Sequence, residues 1–130
     1  MSGLLPYLLV GIGGFLGANA RFLIAQGVVT LLPTRFPLAT LLINLSGSFL
    51  LGMLGSVIAQ RLPPGSDMLR LALGVGFLGA FTTFSTFELE THSLLQDSAW
   101  LAASAYVCLS VFLGLAAVRV GLMLGRQWMS

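Results

Sequence analysis

A chain of 130 residues, 57% hydrophobic and only 8% charged, lies outside the composition of soluble globular domains and belongs in a lipid bilayer. Its 6 basic residues, all arginine, against 4 acids leave a formal charge of +2, too small and scattered for a nucleic-acid surface, so nucleic acid is excluded as a partner. The single histidine and single cysteine exclude a zinc cluster and an internal disulfide, and Cys108, inside an apolar run, is expected to pack.

A membrane-spanning helix needs about 20 mostly apolar residues, and the chain offers four such segments. The first covers residues 4–32. Its Ala18-Asn19-Ala20 string resembles a signal-peptide cleavage site, but no basic residue precedes Leu4 and the apolar run is too long, so the segment is expected to remain as a helix. Pro33, Arg35 and Pro37 mark a turn before the second segment, 38–58. Gln60 and Arg61 lead into Pro63-Pro64-Gly65-Ser66-Asp67, helix breakers ending in a cap for the third segment, 68–96. The fourth covers 99–124. The fold class expected is therefore all-α, a single transmembrane unit over 1–130. So small a bundle has little interior for a water-filled path, so association with a second copy is expected. Both termini fall on one side with Arg61, Arg70 and Arg126, against Arg35 on the other, a bias weak enough to allow two orientations.

Small residues recur at four-residue spacing: Gly13 and Gly17, Ser48 and Gly52, Ala72 with Gly76 and Ala80, Ser110 and Gly114. In lipid, where burial of apolar surface does not draw helices together, such spacing lets backbones approach closely. Polar residues form stripes as well. Thr40, Asn44 and Ser48 lie along one face of the second segment, and Ala102, Tyr106, Ser110 and Gly114 along one face of the fourth. Aligned polar groups at membrane depth point to a path for a polar solute, although hydroxyls and amides also link helices by hydrogen bonds of about 1 kcal/mol.

The third segment is the least helical in character. Gly74, Gly76 and Gly79 precede Thr82-Thr83-Phe84-Ser85-Thr86-Phe87, and Gly79 and Thr82 frame the expected break, where exposed carbonyls are tolerated only if buried in protein or bound to an ion. Phe84 and Phe87, three apart, project from neighbouring positions, and the positive edges of aromatic rings can meet an anion without trapping it. Arg21 lies deep enough to face a polar cavity or to reach for the interface, where it would draw anions to an entrance. Glu88, Glu90 and His92 read as interfacial, with proton relay the alternative. No serine, histidine and acid fall in a nucleophile-and-base pattern, and the Gly11–Gly17 run lacks the offset glycine and downstream acid of a dinucleotide fingerprint. The chain is not expected to be an enzyme or an ATP-driven pump.

These strings resemble, along the whole chain, the small bacterial fluoride channels of the CrcB type. Gly13-Gly14-Phe15-Leu16-Gly17-Ala18-Asn19-Ala20-Arg21 is similar to the family's first-helix signature, and Thr40-Leu41-Leu42-Ile43-Asn44-Leu45-Ser46-Gly47-Ser48-Phe49 to its second. Gly76-Phe77-Leu78-Gly79-Ala80-Phe81-Thr82-Thr83-Phe84-Ser85-Thr86-Phe87 is similar to its third and is the most specific of the three. Ala39 stands where the family usually has glycine.

The resemblance implies a dual-topology homodimer in a bacterial inner membrane, two copies inserted in opposite directions around two antiparallel pores. It implies a buried structural sodium ion, held by the backbone carbonyls of Gly79 and Thr82 from each copy and not transported. Phe84 and Phe87 would supply ring edges, Asn44 an amide donor, and Ser85, Thr86, Tyr106 and Ser110 a track of hydroxyls, with Thr40 beside it and Arg21 in the vestibule. Fluoride is small and strongly hydrated, so it must exchange water for weak donors in series, and such contacts let it leave again. The function expected is passive export of cytoplasmic fluoride. The rivals are a small proton-coupled multidrug exporter, which wants a carboxylate in the first helix that this chain lacks, and a non-transporting assembly subunit, which needs no polar stripe.

Overall fold

The computed structural model describes residues 3–61 and 67–128, and it is all-helical. Helix α1 spans Leu5–Leu31 and opens with Pro6 in its first turn, where the missing N–H costs no hydrogen bond. Helix α2 spans Leu38–Arg61. The short α3, Asp67–Leu69, continues into a π-helical segment, Arg70–Leu78, and then α4, Gly79–Phe81. Helix α5, Phe84–Gln96, and helix α6, Trp100–Gln127, complete the chain. Four stretches are long and apolar enough to cross a membrane: Leu5–Leu31, Leu38–Gln60, Asp67–Gln96 and Trp100–Gln127. α2 and α6 run about a turn past the apolar runs of their segments, because Gln60, Arg61 and Gln127 are good helix formers that need no apolar neighbour. The breaker string Pro63-Pro64-Gly65-Ser66 lies outside the described residues.

Two helix pairs form the body, α2 against α6 and α1 against the π segment. Both are closed by glycine. A Cβ on Gly17 would run into the Phe77 carbonyl oxygen and one on Gly13 into that of Ala72, so α1 and the π segment touch backbone to backbone. In the second pair a Cβ on Gly52 would strike the Val118 carbonyl and one on Gly121 the Phe49 carbonyl. Gly13 against Ala72 and Gly17 against Phe77 rise together in number, as do Gly121 against Phe49 and Gly125 against Met53, so each pair is parallel. The π segment follows from its glycines: the Gly79 N–H reaches back five residues to the Gly74 carbonyl, a wider turn that small residues permit.

Little of the surface is sealed. Phe15, Phe22, Leu101, Phe112 and Leu115 are among many large apolar side chains left exposed, as a surface facing lipid requires. Two small cores lie inside, Leu41, Phe87, Leu94, Ala103 and Tyr106 in one and Ile43, Leu78 and Phe81 in the other. The expectation that Cys108 packs is corrected, since it is exposed on α6. The buried side of that helix is the stripe of Ala103, Tyr106, Gly121 and Gly125, and Cys108, two residues beyond Tyr106, points away from it.

Candidate functional site

The polar stripes of α2 and α6 meet at one side chain of α5. Glu90 accepts a hydrogen bond from the Thr40 hydroxyl on one carboxylate oxygen, at 2.8 Å, and from the Tyr106 hydroxyl on the other, at 2.7 Å. Thr40 and Tyr106 are both buried, Tyr106 completely so. The Tyr106 ring is held by Phe87 at 5.1 Å between centroids and, edge to face, by Phe36 at 5.5 Å. One helical turn further along α6, the Ser110 hydroxyl oxygen is buried with no hydrogen-bond partner among the described residues. On the other side, Glu90 lines an open cleft of about 500 Å³ between the α1–α2 connection and the end of α5, walled also by Arg35, Ser93 and Asp97. The order from open cleft to buried hydroxyl is thus Glu90, Thr40 with Tyr106, then Ser110.

The second element of the site is the interval between α4 and α5. Thr82 and Thr83 take extended backbone, with φ −80° and ψ 158° at the first and φ −149° and ψ 118° at the second. Gly79 itself stays helical, so the departure begins three residues after it. Asn44 of α2 meets the interval squarely: its Nδ2 donates to the Thr83 carbonyl at 3.0 Å and its Oδ1 accepts from the Thr83 N–H at 2.8 Å. Thr83 caps α5, its hydroxyl oxygen accepting from the Thr86 N–H and donating to the Thr86 hydroxyl at 3.0 Å. Gly47, one turn from Asn44, has no room for a Cβ beside the Thr82 methyl group, so α2 backs the interval closely.

The break leaves carbonyls without their ordinary partners, those of Gly79 and Thr82 among them. In a continuous α-helix the Gly79 oxygen would accept from the Thr83 N–H and the Thr82 oxygen from the Thr86 N–H. The first N–H goes to Asn44 and the second to the Thr83 hydroxyl. Carbonyl oxygens freed in this way suit a hard cation such as sodium. Among the described residues there is no cluster of three or more His, Cys, Asp or Glu side chains that would hold a metal instead.

The remaining residues singled out from sequence spread around this frame. Phe87 is buried beside Tyr106, whereas Phe84, 5.7 Å from it, is 72% exposed. Ser85 is exposed and Thr86 half-buried at the start of α5. Arg21 is half-buried on α1; the register that sets Gly17 against Phe77 carries Arg21 one turn on, to the level of Phe81 and the extended interval. No hydrogen bond or ion pair joins it to the Glu90 group among the described residues. Two residues were missed. Thr83 was passed over between Thr82 and Phe84, although a threonine immediately before the first apolar residue of a helical run is a capping signal. Glu90 was grouped with Glu88 and His92 at the interface; these two are exposed, but Glu90 follows Phe87 and precedes Leu94 on the buried face. The three- and four-residue steps from Phe87 to Glu90 to Leu94 were the available signal.

Residues 8–122 match the family model described as CrcB-like protein, Camphor Resistance (CrcB). Among curated relatives, a Methylococcus capsulatus protein named fluoride-specific ion channel FluC is 48% identical over 118 residues, 91% of this chain; the chain spans about half of that relative, 51% of its length. A Solibacter usitatus protein of the same name is 41% identical over 95% of this chain and 100% of its own length. A Sulfurovum protein, also so named, is 46% identical over 94% of this chain and 96% of its own.

Proposed function

The chain belongs to the CrcB family, and from that membership and the polar seam we propose that it is a fluoride-specific ion channel, a multi-pass protein of the bacterial membrane and not an enzyme. Fluoride would pass down its electrochemical gradient and leave the cytoplasm by this route. The proton-coupled exporter falls with the family assignment. Beyond the family, the observation that carries the reading is Ser110, a buried hydroxyl one turn from Tyr106 with no partner among the described residues. An unpaired polar group at membrane depth is costly, and a transient anion is a partner that would satisfy it. Thr40 and Tyr106 already give their hydroxyl protons to Glu90 and would serve an anion only by turning from it, so the donors left free along this line are the Ser110 hydroxyl and one N–H of the Asn44 amide, with ring edges at Phe84 and Phe87 nearby. Ser85 and Thr86 extend the donors at the start of α5. The Glu90 carboxylate would oppose an anion, and its two hydroxyl donors draw that charge toward themselves.

The pathway takes a second copy, inserted upside down, to complete. Phe84 is 72% exposed on one copy alone. Inversion would bring two Thr82–Thr83 intervals together, with the Gly79 and Thr82 carbonyls of each copy holding a sodium ion that neutralises the centre and is not transported. The third span is then a broken helix whose break serves the ion. Arg21, level with the interval, would draw fluoride into a vestibule without lying among the donors.

The test is fluoride efflux from liposomes loaded with potassium fluoride, started by a potassium ionophore and followed by an electrode beside a chloride-loaded control. Rapid fluoride release with little chloride release is expected. Ser110→Ala should lower fluoride flux while leaving thermal stability equal or higher by about 1 kcal/mol, since it removes an unsatisfied group. Phe84→Ile should also lower flux, with dimer elution unchanged. Full flux in both variants would remove these residues from the pathway, and no release from the folded wild type would end the channel reading.

A further inference from the structure

A helix that opens inside a membrane must find partners for the backbone groups it frees, because lipid offers none. At Thr83 both groups find the same partner: the Asn44 carboxamide gives a donor to the carbonyl and an acceptor to the N–H, as a neighbouring strand would. The pairing fixes which end of the amide is which, since only one orientation serves both bonds. It also reaches beyond Thr83. By taking the Thr83 N–H, Asn44 removes the donor that would tie up the Gly79 carbonyl. By holding Thr83 extended, it keeps that residue where its hydroxyl caps the Thr86 N–H, which frees the Thr82 carbonyl in turn.

We propose that Asn44 is a positioning residue: its carboxamide holds the Thr82–Thr83 interval extended and thereby releases the Gly79 and Thr82 carbonyls toward a monovalent cation. The same grip sets where α5 begins, and with it the placement of Phe84 and Phe87. One N–H of the carboxamide is left without a partner among the described residues, so the grip also aims a donor of fixed direction. The effect on flux rests on the channel reading; the grip does not.

Amide hydrogen exchange of the purified full chain, read by mass spectrometry on peptides covering residues 79–87, tests the grip directly. Asn44→Ala should exchange there about tenfold to a hundredfold faster than wild type, as the loss of one or two hydrogen bonds implies. Ser48→Ala, one turn along the same face of α2, should match wild type. The gain in melting temperature on replacing N-methylglucamine by sodium should shrink in Asn44→Ala and persist in Ser48→Ala. Asn44→Asp covers the case in which the alanine variant does not fold. Its protonated carboxyl offers the same donor and acceptor, so its exchange, taken as a ratio to wild type at each pH, should slow toward one as pH falls. Unchanged exchange over 79–87 in folded Asn44→Ala, or in Asn44→Asp at every pH, would overturn the grip. A wild-type chain with no gain in stability from sodium would overturn the cation and leave the grip to be judged on exchange alone.

Discussion

The two kinds of seam in this bundle are built on opposite terms. Where α1 meets the π segment and α2 meets α6, contact exists because side chains are missing, and Gly13, Gly17, Gly52 and Gly121 bring backbones together. Where α2 and α6 meet α5 and the extended interval, contact exists because polar side chains are present, and Thr40, Asn44, Glu90 and Tyr106 carry it. In lipid, burial of apolar surface favours no particular partner, so helices are held either by close approach or by polar groups that would otherwise go unpaired. The glycine seams have nothing left to offer a solute. The polar seam has spare capacity, at Ser110 and at one N–H of Asn44, and that is why the chemistry lies there.

The sharpest way to break this contrast is to put side chains into the dry seams. Gly17→Leu and Gly121→Leu each drive a side chain into a carbonyl oxygen across the pair, with no flexible neighbour to yield. A loss of about 3 kcal/mol or more is expected, seen as aggregation on size-exclusion chromatography or a collapsed melting temperature in detergent. Gly114→Leu is the counterpart, since nothing lies within 4 Å of a Cβ there, and the chain should fold as before. If Gly114→Leu instead folds but no longer dimerises, the Ser110–Gly114 face of α6 is where the second copy sits. Equal tolerance at Gly17, Gly121 and Gly114 would show that close approach is not what holds the pairs.

The polar seam should yield to smaller changes of the right kind. Glu90→Ala strands two buried hydroxyls, Thr40 and Tyr106, and should cost about 1–3 kcal/mol. Glu90→Gln keeps an acceptor for Tyr106 and gives Thr40 a donor to accept from, so most of that stability should survive. A melt of each variant separates the bonds from the charge. Equal losses in both would mean that the carboxylate charge, and not the pairing, binds the three helices.

The same contrast explains what could be read from the sequence. Four long apolar helices, and the small-residue spacing at Gly13 with Gly17 and at Gly52, follow from composition and period alone, because each is a local property of the chain. The Thr40–Asn44 stripe was legible for the same reason. What it pairs with was not. Glu90 is 50 residues from Thr40, and nothing local distinguishes it from Glu88 except the face of a helix whose starting point depends on the Thr83 cap. The π-helical segment was hidden too, since the glycines at 74, 76 and 79 permit its wider turn but are equally compatible with an ordinary helix packed closely on a neighbour. Of the residues singled out from the sequence, Phe87, Tyr106, Thr40 and Asn44 converge on one seam, while Phe84 and Ser85 face outward on the single chain.

The smallest predicted effect concerns the short connection between α5 and α6. Ser98 adopts φ 57°, the left-handed region that non-glycine residues occupy at a cost. The turn is nonetheless kept tight, because the Ala99 N–H bonds the Leu94 carbonyl at 2.9 Å and the Ser98 N–H bonds that of Leu95 at 3.1 Å, closing the end of α5. Tyr106 and Ala103 sit on the first turns of α6, so the angle set at Ser98 fixes how they enter the seam. Ser98→Gly relieves the left-handed strain but frees the unfolded chain, and the two effects partly cancel. A net gain of about 0.5 kcal/mol is expected, measured as a small rise in melting temperature at unchanged fluoride flux. A loss of flux with that rise would mean that the strained turn, and not only the Glu90 bonds, holds Tyr106 in place.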